Sequence, residues 1–259
     1  MTLLRSDLRD TALPSPAHLL RRQIRYELRA HWRSRSLVAL ELALPLALLL
    51  IMGSLLRNAP GGPLGDRYPD VFVPNMVALG LVTTCFAGLG IEAAYLRLTG
   101  AGKRLRGTPL PGWVPLTALV AQSLVVGTLA AVLLALAGAL VLGVALPAAA
   151  PFLVATAVGG TSFAALGVLV STLVPRVESA PAVTNLVLWP LAVLSGVFTA
   201  VPTGSLMYRI AMVLPLRHLM DAMNDAFGGR GFEWGGLAVV AAWGVGAATL
   251  TAARRPGRT

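Results

Sequence analysis

Side chains that could do covalent or acid-base chemistry are few in this sequence and far apart. The three histidines, His18, His31 and His218, lie outside the apolar stretches, so no imidazole stands within one to activate a nucleophile. Cys85 is the single cysteine, which excludes an internal disulfide. The segment Gly160-Thr161-Ser162-Phe163 lacks the second glycine of a G-x-S-G serine site. We therefore predict no catalytic residue and expect that the chain itself is not an enzyme.

Nucleotide and metal binding are not predicted for this chain either. A phosphate loop of the form G-x-x-x-x-G-K-[ST] needs a lysine, and the one lysine, Lys103, is followed by Arg104. His218, Asp221 and Asp225 share a helical face that could imitate a metal site, but no further ligand stands at suitable spacing. We interpret that face as hydrated and polar. If a nucleotide drives this protein, another subunit must bind it.

The elements that position these residues are predicted to be membrane helices. From Gly107 to Pro175 the chain runs 69 residues without Asp, Glu, Lys, Arg or His. As one helix this stretch would measure roughly 100 Å, against about 30 Å for the hydrocarbon core of a bilayer. It must therefore fold back, and Pro147 and Pro151 supply the break. A content of 56% hydrophobic and 12% charged residues also leaves too little polar surface for a soluble globule.

The same test over the whole chain predicts an all-α integral membrane protein with six transmembrane helices. The predicted spans are about 37–56, 71–91, 114–142, 152–174, 182–201 and 235–253, too long and too apolar for barrel strands. Sixteen of the 21 basic residues fall in the N-terminal tail, the loops after the second and fourth spans, and the C-terminal tail 254–259. Because basic residues favour the cytoplasmic side, both termini are predicted to be cytoplasmic. This basic fringe explains the net charge of +10 without nucleic acid.

The N-terminal tail, residues 1–36, contains a predicted interfacial helix. Leu20, Ile24, Leu28 and Trp32 recur at every fourth position. Five arginines lie mostly off that stripe, namely Arg21, Arg22, Arg25, Arg29 and Arg33. We expect the stripe at the acyl boundary and the arginines at the headgroups, with membrane lipid as a partner. A solvated tail before the first span is the alternative.

The loop 92–112, between the second and third spans, is the most specific passage. Arg97 and Gly100 precede the run Lys103-Arg104-Leu105-Arg106-Gly107-Thr108-Pro109-Leu110-Pro111. This loop resembles the intracellular loop of permease subunits in type-2 ATP-binding-cassette (ABC) exporters. Further landmarks stand in the same order as in that family: Leu44-Pro45-Leu46, Phe72-Val73-Pro74, Pro175-Arg176, Asn185, Pro190, Leu194-Ser195-Gly196-Val197-Phe198 and Leu214-Pro215-Leu216-Arg217-His218-Leu219. The resemblance covers almost the whole chain.

The resemblance implies a permease that moves a hydrophobic or amphipathic compound, such as a drug, an antibiotic or a lipid-like molecule, out of a bacterium across its inner membrane. A separate cytoplasmic nucleotide-binding ATPase subunit would bind ATP and Mg, and two permease chains, identical or paralogous, would line the pathway. The residues implied to couple the two subunits are Arg97, Gly100, Lys103, Arg104, Arg106, Thr108 and Pro109. The alternatives are a loop that merely anchors to anionic lipid, and a non-transporting membrane anchor or assembly protein.

Few polar side chains fall at depth in the predicted spans. The candidates for pathway or helix-packing residues are Glu41, Asn75, Gln122, Asn185 and Ser195. A polar amide in a span needs a hydrogen-bonding neighbour or a wet cavity, so we expect one or the other beside Asn75.

The external segment 202–234 precedes the last span. Gly204, Pro215 and Gly228-Gly229 punctuate it, which predicts two short re-entrant helices. A loosely packed amphipathic surface loop is the alternative.

Overall fold

The computed structural model of the chain describes residues 15–33, 35–59, 61, 67–100, 111–198 and 204–254, and of residues 35–42 the backbone alone. Every regular element within these residues is a helix, which confirms the all-α prediction. In chain order they are α1 Pro16–Arg33, α2 Arg35–Leu55, α3 Tyr68–Leu98, α4 Val114–Leu142, α5 Ala149–Ser171, α6 Val177–Leu194, α7 Leu206–Ala211, α8 Pro215–Phe227 and α9 Trp234–Ala253.

Five of the described helices, α3, α4, α5, α6 and α9, are long and apolar enough to cross a membrane. The first predicted span corresponds to α2, whose described side chains form the apolar segment Ala43–Leu55. The largest differences from the predicted spans, seven residues each, are at two helix ends, and the other ends differ by five residues or fewer. The helix α3 continues beyond Ile91 to Leu98, because the charged side chains of Glu92 and Arg97 do not interrupt helical backbone. The helix α6 ends at Leu194, ahead of the predicted 201, because Gly196 takes a left-handed backbone conformation with φ of +80°.

The helix α3 forms the centre of the bundle. It packs against α2, α4, α5 and α8, and Val73, Met76, Val77 and Leu81 are completely buried within it. Between membrane helices the hydrophobic effect contributes little, so the association depends on close van der Waals packing. The side chains of α3 therefore hold the other helices in place mainly through complementary van der Waals packing.

The helices α3 and α5 approach closely where α3 makes a π-helical turn, Thr83–Gly88. A Cβ atom built on Gly167 of α5 would lie 2.5 Å from the carbonyl oxygen of Phe86 in that turn. Real Cβ atoms do not approach a carbonyl so closely, so this contact requires glycine. The π-helical turn and Gly167 thus fix the separation of the two helices.

The short helices α7 and α8 fill the external segment before α9. The Ser205 hydroxyl accepts a hydrogen bond of 3.1 Å from the Tyr208 amide and so caps α7, and Pro215 occupies the first turn of α8. Leu219 of α8 is completely buried and lies 2.6 Å from a Cβ built on Gly159. Since Gly159 stands about 15 Å along α5 from its external end, α8 reaches the depth of the spans. This packing contradicts the alternative of a loose surface loop.

Candidate functional site

The stem of the predicted coupling loop, residues 92–100, is joined to the end of α5. The guanidinium of Arg97 donates from Nη2 to the carbonyl oxygen of Ser171 at 2.9 Å and also to that of Val174. The last carbonyl groups of an α-helix have no partner within the helix and carry the negative end of its dipole. Arg97 adds a cation to the last carbonyl of α5 and to the Val174 carbonyl just beyond it, and it therefore fastens the stem to the C-terminal end of α5.

Apolar packing reinforces this connection. Ala94 of the stem, Val174 after α5 and Ala180 in α6 form one buried cluster, and Leu98 and Val183 pack against it. The stem and the connection between α5 and α6 therefore form a single packed unit. A displacement of the stem would be transmitted to the adjoining ends of α5 and α6.

The stem ends at Gly100, whose φ of +70° is the left-handed conformation that glycine adopts without strain. The remaining predicted coupling residues, Lys103, Arg104, Arg106, Thr108 and Pro109, lie outside the described residues.

The N-terminal helix α1 contacts the stem through polar side chains. Gln23 Nε2 donates to Glu27 Oε1 at 2.7 Å, and His31 Nδ1 lies 3.6 Å from Glu92 Oε1, an ion pair when the imidazole is protonated. Burial raises the pKa of Glu27, the hydrogen bond from Gln23 opposes that rise, and the Glu92 carboxylate adds to it. Sequence reasoning missed these residues, although Gln23, Glu27 and His31 recur at every fourth position as the apolar stripe does.

The apolar stripe itself does not keep to a single face of α1. Leu20, Ile24 and Leu28 are partly buried on the side of α1 that packs against α4, whereas Trp32 is 50% exposed. Successive residues of an α-helix are about 100° apart, so each step of four residues turns the stripe by roughly 40°. After three such steps Trp32 points to another face than Leu20. The placement of the stripe at the acyl boundary, with the arginines at the headgroups, stays a prediction.

Two asparagines join α3 to α8 in the outer half of the bundle, and we call this contact the asparagine bridge. Asn224 Nδ2 donates to Asn75 Oδ1 at 2.9 Å, and Asn75 Nδ2 donates to the Val197 carbonyl at 3.3 Å. Close by, the Tyr68 hydroxyl donates to the Phe198 carbonyl at 3.3 Å. The neighbour expected for Asn75 is thus Asn224, a residue that sequence reasoning did not select.

The structure does not bring the other predicted polar residues into this bridge. Gln122 and Ser195 are 2% and 0% exposed, and neither Gln122 Oε1 nor Ser195 Oγ has a hydrogen-bond partner among the described residues. Asn185 Nδ2 donates to the Pro181 carbonyl of its own helix at 2.8 Å. The side chain of Glu41 lies outside the described part of the chain.

The family model of the ABC-2 type transporter matches residues 18–227, from α1 to the end of α8. The chain belongs to the ABC-2 type transporter family. This membership confirms the resemblance to type-2 ABC permeases, and it makes the chain a multi-pass transmembrane component of an ABC transporter. Components of this family serve transport, are not themselves catalytic, and pair in general with an ATP-binding subunit. No curated protein sequence matches the chain.

A pocket of about 30 Å³ lies beside the asparagine bridge. Its lining includes Tyr68, Phe72, Asn75 and Val197. This volume holds roughly one or two water molecules, whereas sites for drug-sized ligands measure about 300–1,000 Å³. The pocket can hydrate the bridge, but it cannot hold a drug-sized cargo.

His218, Asp221 and Asp225, which the sequence places on one polar face, each contact a different partner. Arg217 Nε lies 3.1 Å from Asp221 Oδ2, Arg230 Nε lies 2.6 Å from Asp225 Oδ1, and His218 Nε2 lies 2.8 Å from the Met212 carbonyl oxygen. Within the described ranges no three His, Cys, Asp or Glu side chains are grouped to hold a metal ion. The first contact lies within α8, and the other two connect α8 to the segments on either side of it.

Proposed function

We propose that this chain is the permease of an ATP-driven exporter that moves a hydrophobic or amphipathic compound, such as a drug, an antibiotic or a lipid-like molecule, out of the cell. ATP, with its Mg ion, would be bound and hydrolysed by a separate cytoplasmic subunit. That subunit would press on the coupling loop, and the permease would alternate between inward and outward access.

The observation that carries this proposal is the attachment of the stem to α5 and α6. Arg97 and the cluster of Ala94, Val174 and Ala180 attach the stem of the loop to α5 and α6, so that a force on the stem would act on three membrane helices. A loop that served only as a positive anchor on lipid would need basic residues but no such attachment. The packing therefore supports the coupled transporter over the non-transporting anchor.

The nature of the cargo is proposed from the interior of the bundle. The polar residues at depth in the described spans are neutral, as in Asn75, Gln122 and Ser195, and an apolar pathway suits apolar cargo. A chamber large enough for such a cargo would lie between two permease chains, identical or paralogous. The helix α6 is the proposed contact, because much of its surface, including Leu186, Val187 and Val193, is exposed in the single chain.

We place the exporter in a bacterial inner membrane. The chain contains 20 arginines against one lysine and is rich in alanine, glycine and leucine, a bias typical of GC-rich bacterial genomes. The basic residues on the predicted cytoplasmic side agree with that orientation.

The decisive experiment is reconstitution of the permease with its candidate ATPase subunit in lipid nanodiscs. Wild type should assemble with that subunit and stimulate ATP hydrolysis. We expect Arg97→Met to assemble but to lose most of the stimulation. The Val174 carbonyl loses its guanidinium donor and the Ser171 carbonyl keeps only the Val174 amide at 3.3 Å, at a cost of about 1–3 kcal/mol in all. Arg176→Met, an exposed arginine in the neighbouring turn, is the matched control and should behave as wild type.

Charge reversal of Lys103, Arg104 and Arg106 to glutamate tests the docking step separately and should abolish assembly. If the wild-type chain neither binds nor stimulates the ATPase, the membrane-anchor function replaces the exporter. If cargo assays respond to small polar solutes alone, the proposed cargo class is wrong.

A further inference from the structure

The helix α3 consists of two segments that pack against different neighbours, and the π-helical turn Thr83–Gly88 joins them. The outer segment, Tyr68–Val82, packs chiefly against α2, α4 and α8, which we call the outer group. The inner segment, Leu89–Leu98, packs chiefly against α5 and α6, which we call the inner group. The turn thus stands where α3 passes from one group of helices to the other.

Polar contacts fasten each end of α3 to its own group. At the outer end, the asparagine bridge connects Asn75 to α8, and Arg67, just before α3, donates at 3.4 Å to the carbonyl of Gly143, just after α4. At the inner end, Arg97 donates to the Ser171 carbonyl of α5. A helix that different partners hold at its two ends bends at its weakest point when those partners move relative to each other.

The backbone of the turn is less constrained than a regular helix. The Leu89 amide divides its hydrogen bond between the Thr84 and Phe86 carbonyls, five and three residues before it, where an α-helix would use the carbonyl four residues before. The Thr83 hydroxyl donates to the Leu79 carbonyl at 2.8 Å, a contact of the kind that bends helices. Sharp bends in helices are concentrated at such π-helical turns. The turn is therefore the weakest point of α3.

Glycine at the end of the turn adds to this freedom. Gly88 is partly exposed and has φ of −57° and ψ of −56°, a helical conformation that alanine would also adopt without strain. Glycine weakens a helix relative to alanine, so its presence here favours bending. The Phe86 carbonyl lies against the backbone of Gly167, where a Cβ atom would not fit. This close contact gives the bend a pivot on α5.

We propose that the π-helical turn Thr83–Gly88 is a hinge in α3, about which the inner segment moves with the inner group while the outer segment stays with the outer group. The cytoplasmic half of the bundle can then rearrange while the asparagine bridge stays formed. The hinge itself does not depend on the proposed function, whereas its use in the transport cycle rests on it.

The test measures distances between pairs of spin labels on introduced cysteines by double electron-electron resonance, with the purified full chain in lipid nanodiscs. One pair crosses the hinge, Tyr95→Cys with Trp113→Cys beside the start of α4. Two pairs each lie within one group, Leu55→Cys on α2 with Trp113→Cys, and Tyr95→Cys with Leu153→Cys on α5. All four positions are exposed. Cys85 is retained because it belongs to the turn, and its complete burial protects it from the label.

With the chain alone, diluted with unlabelled chain, the distance distribution of the crossing pair should be wider than those of the two pairs within a group. Gly88→Ala should narrow it, because alanine shifts a helical equilibrium roughly fivefold towards the straight form. Gly246→Ala is the matched control, since Gly246 of α9 is also partly exposed and a Cβ atom there meets no atom within 4 Å. This control should leave the distribution as in wild type.

Thr83→Ala is a second variant, which removes the hydroxyl that bonds the Leu79 carbonyl and should narrow the distribution in the same direction. It keeps the test decisive if Gly88→Ala does not fold. Equal widths for all three pairs in wild type, or a crossing pair that neither variant narrows, would overturn the hinge.

The second readout adds the candidate ATPase subunit and ATP. The crossing pair should then change its mean distance while the pairs within a group keep theirs, and Gly88→Ala should stimulate ATP hydrolysis severalfold less than wild type. If wild type stimulates hydrolysis without any shift of the crossing pair, the hinge has no part in the cycle and the proposal is wrong. If wild type gives no stimulation while the chain alone shows the wide crossing pair, the exporter function fails and the hinge stands.

Discussion

At the scale of single residues, the described polar contacts tie together segments that are distant in the sequence. Asn75 and Asn224 are separated by 149 positions, and Arg97 and Ser171 by 74. An amide or a guanidinium that leaves water must find partners, and in an apolar bundle few are available. Each of these side chains therefore specifies which segments meet, beyond any gain in stability.

The asparagine bridge yields a quantitative prediction. Asn75→Ala and Asn224→Ala should each lower the free energy of unfolding, and the double variant should lose less than the two single losses together. The difference should be about 0.5–1.5 kcal/mol, the range for a hydrogen bond between membrane helices. Unfolding by titration with a denaturing detergent measures this double-mutant cycle.

Asn185→Ala serves as the control for the bridge, because Asn185 donates to the backbone of its own helix. Its combination with Asn75→Ala should be additive. A coupling of zero between Asn75 and Asn224 would mean that the bridge does not form in the membrane.

The sequence was sufficient to show that Asn75 needs a partner, but not to identify it. The requirement follows from the residue type and its position in an apolar stretch. The identity of Asn224 depends on how α8 enters the bundle, and no local pattern contains that information. The same holds for Arg97, whose motif is recognisable while its acceptors are backbone carbonyls and leave no signature in the sequence.

At the scale of elements, α1 shows how two periodic patterns on one helix compete. Its apolar residues and its polar residues Gln23, Glu27 and His31 both face the protein, so the helix docks with a carboxyl group half-buried. Sequence analysis identified the helix and its arginines correctly. Trp32 lies off the face of Leu20, because spacing by four residues approximates a helical face only over two turns.

This arrangement makes the docking of α1 sensitive to pH. Because the folded protein raises the pKa of Glu27 above its ordinary value of 4.5, the packed state favours the protonated carboxyl. The stability that this group contributes is therefore complete below about pH 4.5 and is lost as pH rises through the raised value. The charged groups facing it are Glu92, which adds to the effect, and His31, which forms an ion pair with Glu92 when its imidazole is protonated.

We expect Glu27→Gln to raise the apparent midpoint of thermal unfolding at neutral pH and to flatten its decline between pH 4.5 and 7. The gain should stay within about 1 kcal/mol, because the carboxyl is only partly buried and water screens its charge. Thermal scans of the purified chain across this pH range provide the measurement. Glu178→Gln, an exposed acid outside the contact, should leave the profile as in wild type, and a similar flattening there would refute the role of Glu27.

At the scale of the whole molecule, the most accessible prediction from the sequence was the membrane architecture. Uncharged runs longer than the hydrocarbon core of a bilayer leave helices as almost the only solution, and the described helices lie close to the predicted spans. The arrangement of those helices was not predictable in the same way. Over most of their length the five candidate spans are apolar on every side, and such helices give no periodic signal for the face that turns inward.

The proposed pairing of two permease chains through α6 can be tested by cysteine cross-linking. In a symmetric dimer, residues near the two-fold axis face their own copies. Leu186, Val187 and Val193 are replaced by cysteine one at a time in a Cys85→Ala background, since Cys85 is the only native cysteine. At least one of the three should form a disulfide-linked dimer in membranes, detected on a non-reducing gel.

Leu140→Cys is the matched control for this experiment. Leu140 lies on α4 and is 85% exposed, against 74% for Leu186, so the two cysteines would be similarly accessible. It should remain monomeric on the gel. Cross-linking of Leu140→Cys without any on α6 would place the contact on the other side of the bundle.

The π-helical turn Thr83–Gly88 sets the rotational phase of everything that follows it in α3. Its backbone hydrogen bonds span one residue more than those of an α-helix, so each later side chain is turned by about 100° relative to an uninterrupted helix. Glu92 faces His31, and Arg97 faces the end of α5, only with this offset included. The orientation of the stem is thus determined by one extra residue within the span, a full two turns before Arg97.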